Sequence, residues 1–364
     1  MQISNISKII TNKVNGYELS NENYISTENM LPNCGGVTTA SSVPTAKVTS
    51  FLEGDVLLSN IRPYFKKVWF ARFNGGCSND VICLRANKSK CLPQYLYYTL
   101  STDKFIDSFS ASSKGTKMPR GDKNALLSYD FPERSIEEQL YIVDILGSID
   151  EKLENNNQKI QKLLDFGLLY YKNDITHNQY DYCELSSLVK IGRGASPRPI
   201  QKYLAEEGCS WVKISDVTSL TTPFLFETKE YVTIEGANHS VPVYPNDLIL
   251  SNSATPGLPV FVQINAFVHD GWLTIRNFDK ITPAYLFWAL KNDRETILSQ
   301  GNGSIFTNLK TDILKQHKIP VPSMEQMRGL DKFYSTILDT IKQLTIENRK
   351  MIELKNQYLK KFFG

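Results

Sequence analysis

Two stretches of the chain carry apolar residues at alternating steps of four and three. The first runs Ile142, Leu146, Ile149, Leu153, Asn156, Ile160, Leu163, Gly167, Tyr170. The second runs Leu330, Tyr334, Ile337, Ile341, Leu344, Asn348, Met351, Lys355, Tyr358, Phe362. That spacing, sustained over several heptads, predicts a coiled coil. Each stripe is narrow, so each helix needs a partner, and the other helix is the natural one. Both have start signals. Ser135 stands three residues before Glu138, and Ser323 three before Gln326, the spacing of a capping box. A proline upstream of each keeps the preceding chain extended. About 38 helical residues rise roughly 57 Å, so the pair is a spacer as much as a core element. Asn156 and Asn348 interrupt the stripes. A buried Asn fixes register at some cost in stability, whereas an Asn at the stripe's edge is simply solvated; the sequence leaves both readings open.

The rest of the chain repeats as well. Gly54-Asp55-Val56-Leu57-Leu58-Ser59-Asn60 matches Asn246-Asp247-Leu248-Ile249-Leu250-Ser251-Asn252, each a polar turn followed by a buried strand. Cys91–Leu100 matches Ile281–Leu290, each with Pro in the first turn of a short amphipathic helix. Lys114-Gly115-Thr116-Lys117 lies where Asn302-Gly303-Ser304-Ile305 lies in the second half. Phe131-Pro132 leads to Glu138-Gln139 and Ile319-Pro320 to Glu325-Gln326, about half a chain apart. The chain therefore reads as a fused pseudo-dimer. Residues 1–131 form a first α/β domain and 132–175 a first long helix. Residues 176–319 form a second α/β domain and 320–364 a second long helix. The fold class expected is α+β, two α/β domains in pseudo-two-fold arrangement separated by two long helices packed as an antiparallel coiled coil. Order and spacing persist while the residues between diverge, as in a shared scaffold carrying different surfaces.

Composition narrows the class only a little. Hydrophobic content of 41% and charged content of 22% suit an ordinary globular protein. A net charge of +3 neither demands nor excludes nucleic acid, because a local patch matters more than the sum. The six cysteines form no C-x-x-C pair and no Cys/His cluster with zinc spacing. They read as unpaired thiols in a reducing compartment, so a cytoplasmic location is expected. The opening MQISNISKII lacks the basic and apolar regions of a signal peptide, and no run of about 18 apolar residues would span a membrane.

Catalytic signatures are missing. His177, His239, His269 and His317 fall in no metal-ligand pattern. There is no phosphate loop, and Gly301-Asn302-Gly303 reads as a turn. There is no nucleophile elbow, no acid pair placed by the repeat, and no Asn/Asp-Pro-Pro-Tyr/Phe motif of the kind that holds a flipped adenine. No metal or cofactor is expected in this chain. What remains are basic and polar loops: Asn60–Lys67 with cations among aromatics, Lys114–Arg120 with cations among Gly and Pro, Lys190–Pro199, and Gly303–Lys310. Lys and Arg neutralise phosphates; Arg, Asn and Gln read base edges. Any one loop alone is explained as a solvated surface. Their recurrence at matching places in two halves favours binding to DNA. The candidate contacts are Arg62, Lys66, Lys114, Thr116, Lys117 and Arg120 in the first half. In the second they are Arg193, Ser196, Arg198, Lys213, Ser304, Thr307, Asn308 and Lys310. A coiled-coil scaffold for protein interaction, without DNA specificity, is the alternative.

These features together resemble the specificity (S) subunit of type I restriction–modification systems, over essentially the whole chain. The residues that carry the likeness are the two Pro…Glu-Gln helix entries, Gly54-Asp55…Ser59-Asn60-Ile61-Arg62-Pro63, Ser78-Asn79-Asp80, and Lys114-Gly115-Thr116…Pro119-Arg120. In the second half they are Arg193–Pro199 and Trp211–Val217. One departure stands out: Glu325 follows Pro320 one residue sooner than Glu138 follows Pro132. The resemblance implies two target recognition domains, each reading one half of a bipartite double-stranded DNA site, with the helices as a ruler for the spacer. It implies docking of two methyltransferase (M) subunits, which bind S-adenosylmethionine and methylate adenine, and of motor-nuclease (R) subunits for cleavage. It implies no catalytic residues in this chain.

Overall fold

The computed structural model describes residues 1–115, 117–130, 132–218, 220–300 and 308–364. It divides into two compact units, Met1–Lys152 with Met351–Gly364, and Leu153–Lys350. The two long helices, Ile136–His177 and Met324–Phe363, each lend one end to either unit.

In the first unit a four-stranded antiparallel sheet orders Ser7–Ile9, Val81–Ala86, Val56–Ser59 and Val68–Phe70. The run Val56-Leu57-Leu58 is apolar throughout because both faces of this sheet are covered, while its side chains still alternate. Val56 and Leu58 pack with Tyr95, Leu96, Ile142, Leu146, Leu359 and Phe363, on the side of the helices. Leu57 packs with Phe51, Trp69 and Cys83. These join a second sheet of Lys13–Val14, Val48–Phe51, Gly75–Cys77 and Tyr24–Ile25. The turn before the central strand is fixed by chemistry. Gly54 sits at φ +88°, where an L side chain is strained. Asp55 receives the Leu52 N–H at 2.8 Å and a two-pronged ion pair from Arg85 at 2.7 Å.

The second unit repeats this plan with more strands. One sheet orders Lys190–Arg193, Trp272–Arg276, Leu248–Ser251, Pro259–Val262 and Phe224–Leu225. Leu248 and Leu250 join the core that contains the helices, while Ile249 faces the other way. Asn246 takes the positive φ that Gly54 has, and Asp247 accepts from the Tyr244 N–H and pairs with Arg276 at 3.2 Å. The second sheet orders Leu204–Ala205, Glu230–Val232, Cys209–Val212, Ala266–Val268 and Val241–Val243. Where the first half has two helices, Pro93–Leu100 and Asp103–Ala111, the second has one, Pro283–Ser299.

Both predicted capping boxes are present. Ser135 Oγ accepts the Glu138 N–H at 3.2 Å and Glu138 accepts the Ser135 N–H at 2.8 Å. Ser323 and Gln326 make the same exchange at 3.3 and 3.0 Å. This shifts the repeat by one residue from the Glu-Gln match. Glu138 corresponds to Gln326, and Gln139, buried and bonded to the Leu92 N–H, corresponds to buried Met327. The apparent shortening of the second entry disappears with that register.

The helices run antiparallel within each unit. In the first, Arg134 bonds the Phe362 carbonyl at 3.1 Å and Asp150 pairs with Lys355. In the second, Asn156 bonds Asn348 and the Tyr170 ring lies 4.1 Å from that of Phe333. The heptad stripe holds in the middle and drifts at the far ends. Leu164 and Tyr171 are buried, whereas Leu163 is half-buried and Tyr170 is 38% exposed. Likewise Leu359 and Phe363 are buried, and Tyr358 and Phe362 only partly so. A straight helix has 3.6 residues per turn, and its buried face leaves a 3.5-residue stripe where it packs on a domain rather than along a partner helix. Here Tyr171 meets Tyr285, and Phe363 meets Tyr95, at ring separations of 5.6 and 5.3 Å.

Candidate nucleic-acid interface

The predicted loops of the first unit converge at the end of the central strand. Asn60 follows that strand and is 92% buried. Its N–H donates to the Asp80 carbonyl at 2.8 Å, and its carbonyl accepts the Gly121 N–H at 3.0 Å. The Arg62 N–H donates to Pro119 at 2.8 Å, and Lys114 and Arg120 exchange both backbone bonds. A short ladder thus ties residues 60–62 to 114–121. Arg62, Lys114, Lys117 and Arg120 are exposed on the joined loops. Lys114 pairs with Asp122, Arg120 with Asp80, and Arg62 reaches the Lys117 carbonyl at 3.5 Å. The Lys117 side chain has no ion pair among the described residues. Its ammonium is exposed to solvent.

The second unit builds the same junction from different residues. The Asn252 N–H donates to Gly271 at 2.9 Å, and its carbonyl accepts the Leu309 N–H at 2.6 Å. Asn308 is exposed and bridges to Ser253; Lys310 is exposed and stands just before the helix Thr311–Gln316. Two positions beyond each buried asparagine, the chain turns left-handed without glycine, at Arg62 (φ +48°) and Ala254 (φ +56°). In both units the turn before the neighbouring strand closes alike: Val81 N–H to Ser78 O and Trp272 N–H to His269 O, each at 3.0 Å.

That second turn gathers the basic loop. Ser196 Oγ donates to the Asp270 carboxylate at 2.8 Å, and Arg198 pairs with its other oxygen at 3.3 Å. Arg193 Nε and Asn252 Nδ2 both donate to the Asp270 carbonyl, at 2.9 and 3.1 Å. The Ser196 bond, with help from His269 and Arg198, holds the Asp270 carboxyl below its ordinary range. Burial pushes the His269 imidazole down, and its Nδ1 accepts the Gly271 N–H at 2.9 Å, as a neutral ring would. Gly194 is required by close approach: a Cβ there would lie 2.0 Å from the His269 carbonyl oxygen.

Arg62, Lys114, Lys117 and Arg120 are therefore brought together, as are Arg193, Ser196 and Arg198. Two further predicted contacts also lie in ion pairs. Lys66 pairs with Asp103 at 2.7 Å, its side chain only 19% exposed, and Lys213 pairs with Glu230 at 2.6 Å. Thr116, Ser304 and Thr307 lie outside the described residues. Asp80, Asp270, Asn60 and Asn252 belong to the site although none is a cation. The asparagines were legible as the ends of the repeated strand motif, and Asp80 as part of Ser78-Asn79-Asp80. Asp270 left no signal of its own. The repeat does place these two acids in equivalent turns, one position apart, as arginine partners in separate units. Among the described residues no cluster of three or more His, Cys, Asp or Glu could hold a metal ion, and no helix is long and apolar enough to cross a membrane.

A duplicated α+β domain, with each copy closed by a long helix and carrying its variable polar loops on a repeated junction, is the frame of a recognition protein. The family described as type I restriction modification DNA specificity domain matches residues 2–165 and again 178–356. The chain belongs to that family and carries its domain twice. Both copies are therefore type I restriction–modification DNA specificity domains. A Methanocaldococcus jannaschii protein provisionally named the MjaX type I restriction enzyme specificity subunit is 23% identical, over 77% of this chain and 69% of its own. The HindI specificity subunit of Haemophilus influenzae is 21% identical, over 98% and 96%. The crystal structure of the type I S subunit from M. genitalium shares the fold, with a TM-score of 0.61 at 17% identity, covering 100% of this chain and 95% of that one.

Proposed function

We propose that each unit reads one half of a bipartite site on double-stranded DNA through its junction loops, and that the two half-sites differ in sequence. The observation that carries this reading is the repeated junction. Asn60 and Asn252 tie the same two loops together by the same backbone bonds, while the exposed side chains on them differ. A fixed frame with variable polar loops is what two related readers of two different sequences need. Arg62, Lys114, Lys117 and Arg120 form one contact set; Arg193, Ser196, Arg198, Asn308 and Lys310 form the other. Lys66 and Lys213, held in ion pairs, buttress these sets.

The two helices set the gap between half-sites and dock two M subunits. Large apolar side chains left exposed on the first helix support docking there: Tyr141 at 62%, Phe166 at 51% and Leu169 at 65%. S-adenosylmethionine and the adenine chemistry belong to the M subunits, and R subunits join for cleavage. The complex works in the cytoplasm.

The test is sequencing of methylated adenines in cells expressing the chain with its M subunits. The expected result is one asymmetric, split motif with a fixed gap. Methylation without any motif, or binding that ignores both DNA sequence and salt, would leave the scaffold reading in its place.

A further inference from the structure

We propose that Asp80 and Asp270 are specificity-determining positioning residues. Each holds an arginine of its own basic loop in one orientation, so that the arginine presents a fixed fork to a base edge instead of following the phosphate backbone. The inference rests on the DNA-reading function proposed above.

A carboxylate on a phosphate-facing loop works against non-specific binding, so its presence needs a reason. Stability is a weak one. The Arg198 side chain is 82% exposed and that of Arg120 58%, and surface pairs of this kind are worth about 0–1 kcal/mol. The placement is nevertheless repeated. Both acids sit in the turn that the buried asparagine clasps, Asn60 through its N–H to Asp80 and Asn252 through its Nδ2 to Asp270. Both accept from an arginine of the facing loop, Arg120 at 2.8 Å and Arg198 at 3.3 Å. In the second unit Ser196 and Arg193 are gathered onto the same residue, so one short turn orients three candidate contacts. An arginine held at one nitrogen has fewer orientations to lose on binding and keeps donors free for the two acceptors on a guanine edge. An unheld arginine would satisfy any nearby phosphate.

The experiment compares the wild-type complex with its M subunits, Asp80→Asn and Asp270→Asn. The readouts are affinity for the specific site, for each site with one half scrambled, and for random DNA, at several salt concentrations. Each variant should bind random DNA at least as tightly as wild type. Its specific-to-random ratio should fall by about tenfold, with discrimination relaxed in one half-site only, a different one for each variant. Arg198→Ala should relax the same half-site as Asp270→Asn, and the double variant should relax it no further. An unchanged ratio overturns the proposal. So does an equal loss of affinity on specific and random DNA, the mark of a merely structural role, or relaxation of both half-sites by one variant. If the wild-type complex itself shows no preference over random DNA, the DNA-reading function fails first.

Discussion

The Tyr285 hydroxyl donates to the Pro320 carbonyl at 2.9 Å, tying the Pro283–Ser299 helix to the lead-in of the second long helix. Tyr95 makes the same bond to Pro132 at 3.2 Å in the first unit. Both tyrosines are fully buried, and Pro320 is buried while Pro132 is partly so, so each variant removes a donor from a carbonyl at least partly shielded from water. Tyr285→Phe and Tyr95→Phe should each cost about 1–2 kcal/mol in urea unfolding. Burial also pushes the Tyr95 phenol up to about 12. A raised phenol favours the folded state at pH values below its unfolded value near 10 and loses that advantage as pH rises towards 12. Wild-type stability should fall across that window, and Tyr95→Phe should lose less across it. Equal alkaline losses would exclude Tyr95 as a source.

The asparagines that interrupt the two stripes meet. Asn156 is fully buried and donates to Asn348 at 2.9 Å and to Glu347 at 2.8 Å; Asn348 donates to Asn157 at 2.8 Å. The buried-register reading holds, and the solvated-edge reading does not. Asn156→Leu alone leaves the buried Asn348 Oδ1 without its donor and should cost about 1–3 kcal/mol. Asn156→Leu with Asn348→Leu should recover most of that loss, at the expense of a defined register. Additive losses in the double-mutant cycle would show that the two do not act as a pair.

Lys355 stands in a mainly apolar stripe because it pairs with Asp150, which also accepts the Tyr98 hydroxyl at 2.9 Å. Both charged side chains are largely buried, at 15% and 20% exposure. Lys355→Met leaves a carboxylate without its cation and should destabilise by about 3 kcal/mol. Lys355→Met with Asp150→Leu should restore much of it. Thermal unfolding of the three variants checks this, and a neutral Lys355→Met would contradict it.

Lys117 is exposed beside Arg62 and Arg120. Lys117→Ala should weaken binding alike on all DNA sequences and flatten the dependence of log affinity on log salt by about one unit. An unchanged slope would remove it from the phosphate contacts.

Local chemistry was readable in the sequence, and long-range chemistry was not. The capping boxes, the Gly54 and Asn246 turns and the buried strands each depend on residues a few positions apart, so their patterns survive in one dimension. The Glu-Gln match misled by one residue because only the Ser-x-x-Glu/Gln exchange has a geometric meaning. Tyr171 replaced Tyr170 on the buried face because packing against a domain, not against a partner helix, decides the end of the stripe. In the site, exposed cations were found by type. The ion pairs of Lys66 with Asp103 and of Lys213 with Glu230 join residues far apart in the chain, so no local pattern shows them. The pairs of Asp80 with Arg120 and of Asp270 with Arg198 are long-range as well, and each acid gains a role only beside its arginine.

The most direct test of the central claim is to insert one heptad into each long helix, in register, and to sequence the adenines methylated by the complex. Two reading units joined by a helical ruler predict the same two half-sites with a changed gap. An unchanged gap, or altered half-sites with the gap preserved, would contradict it.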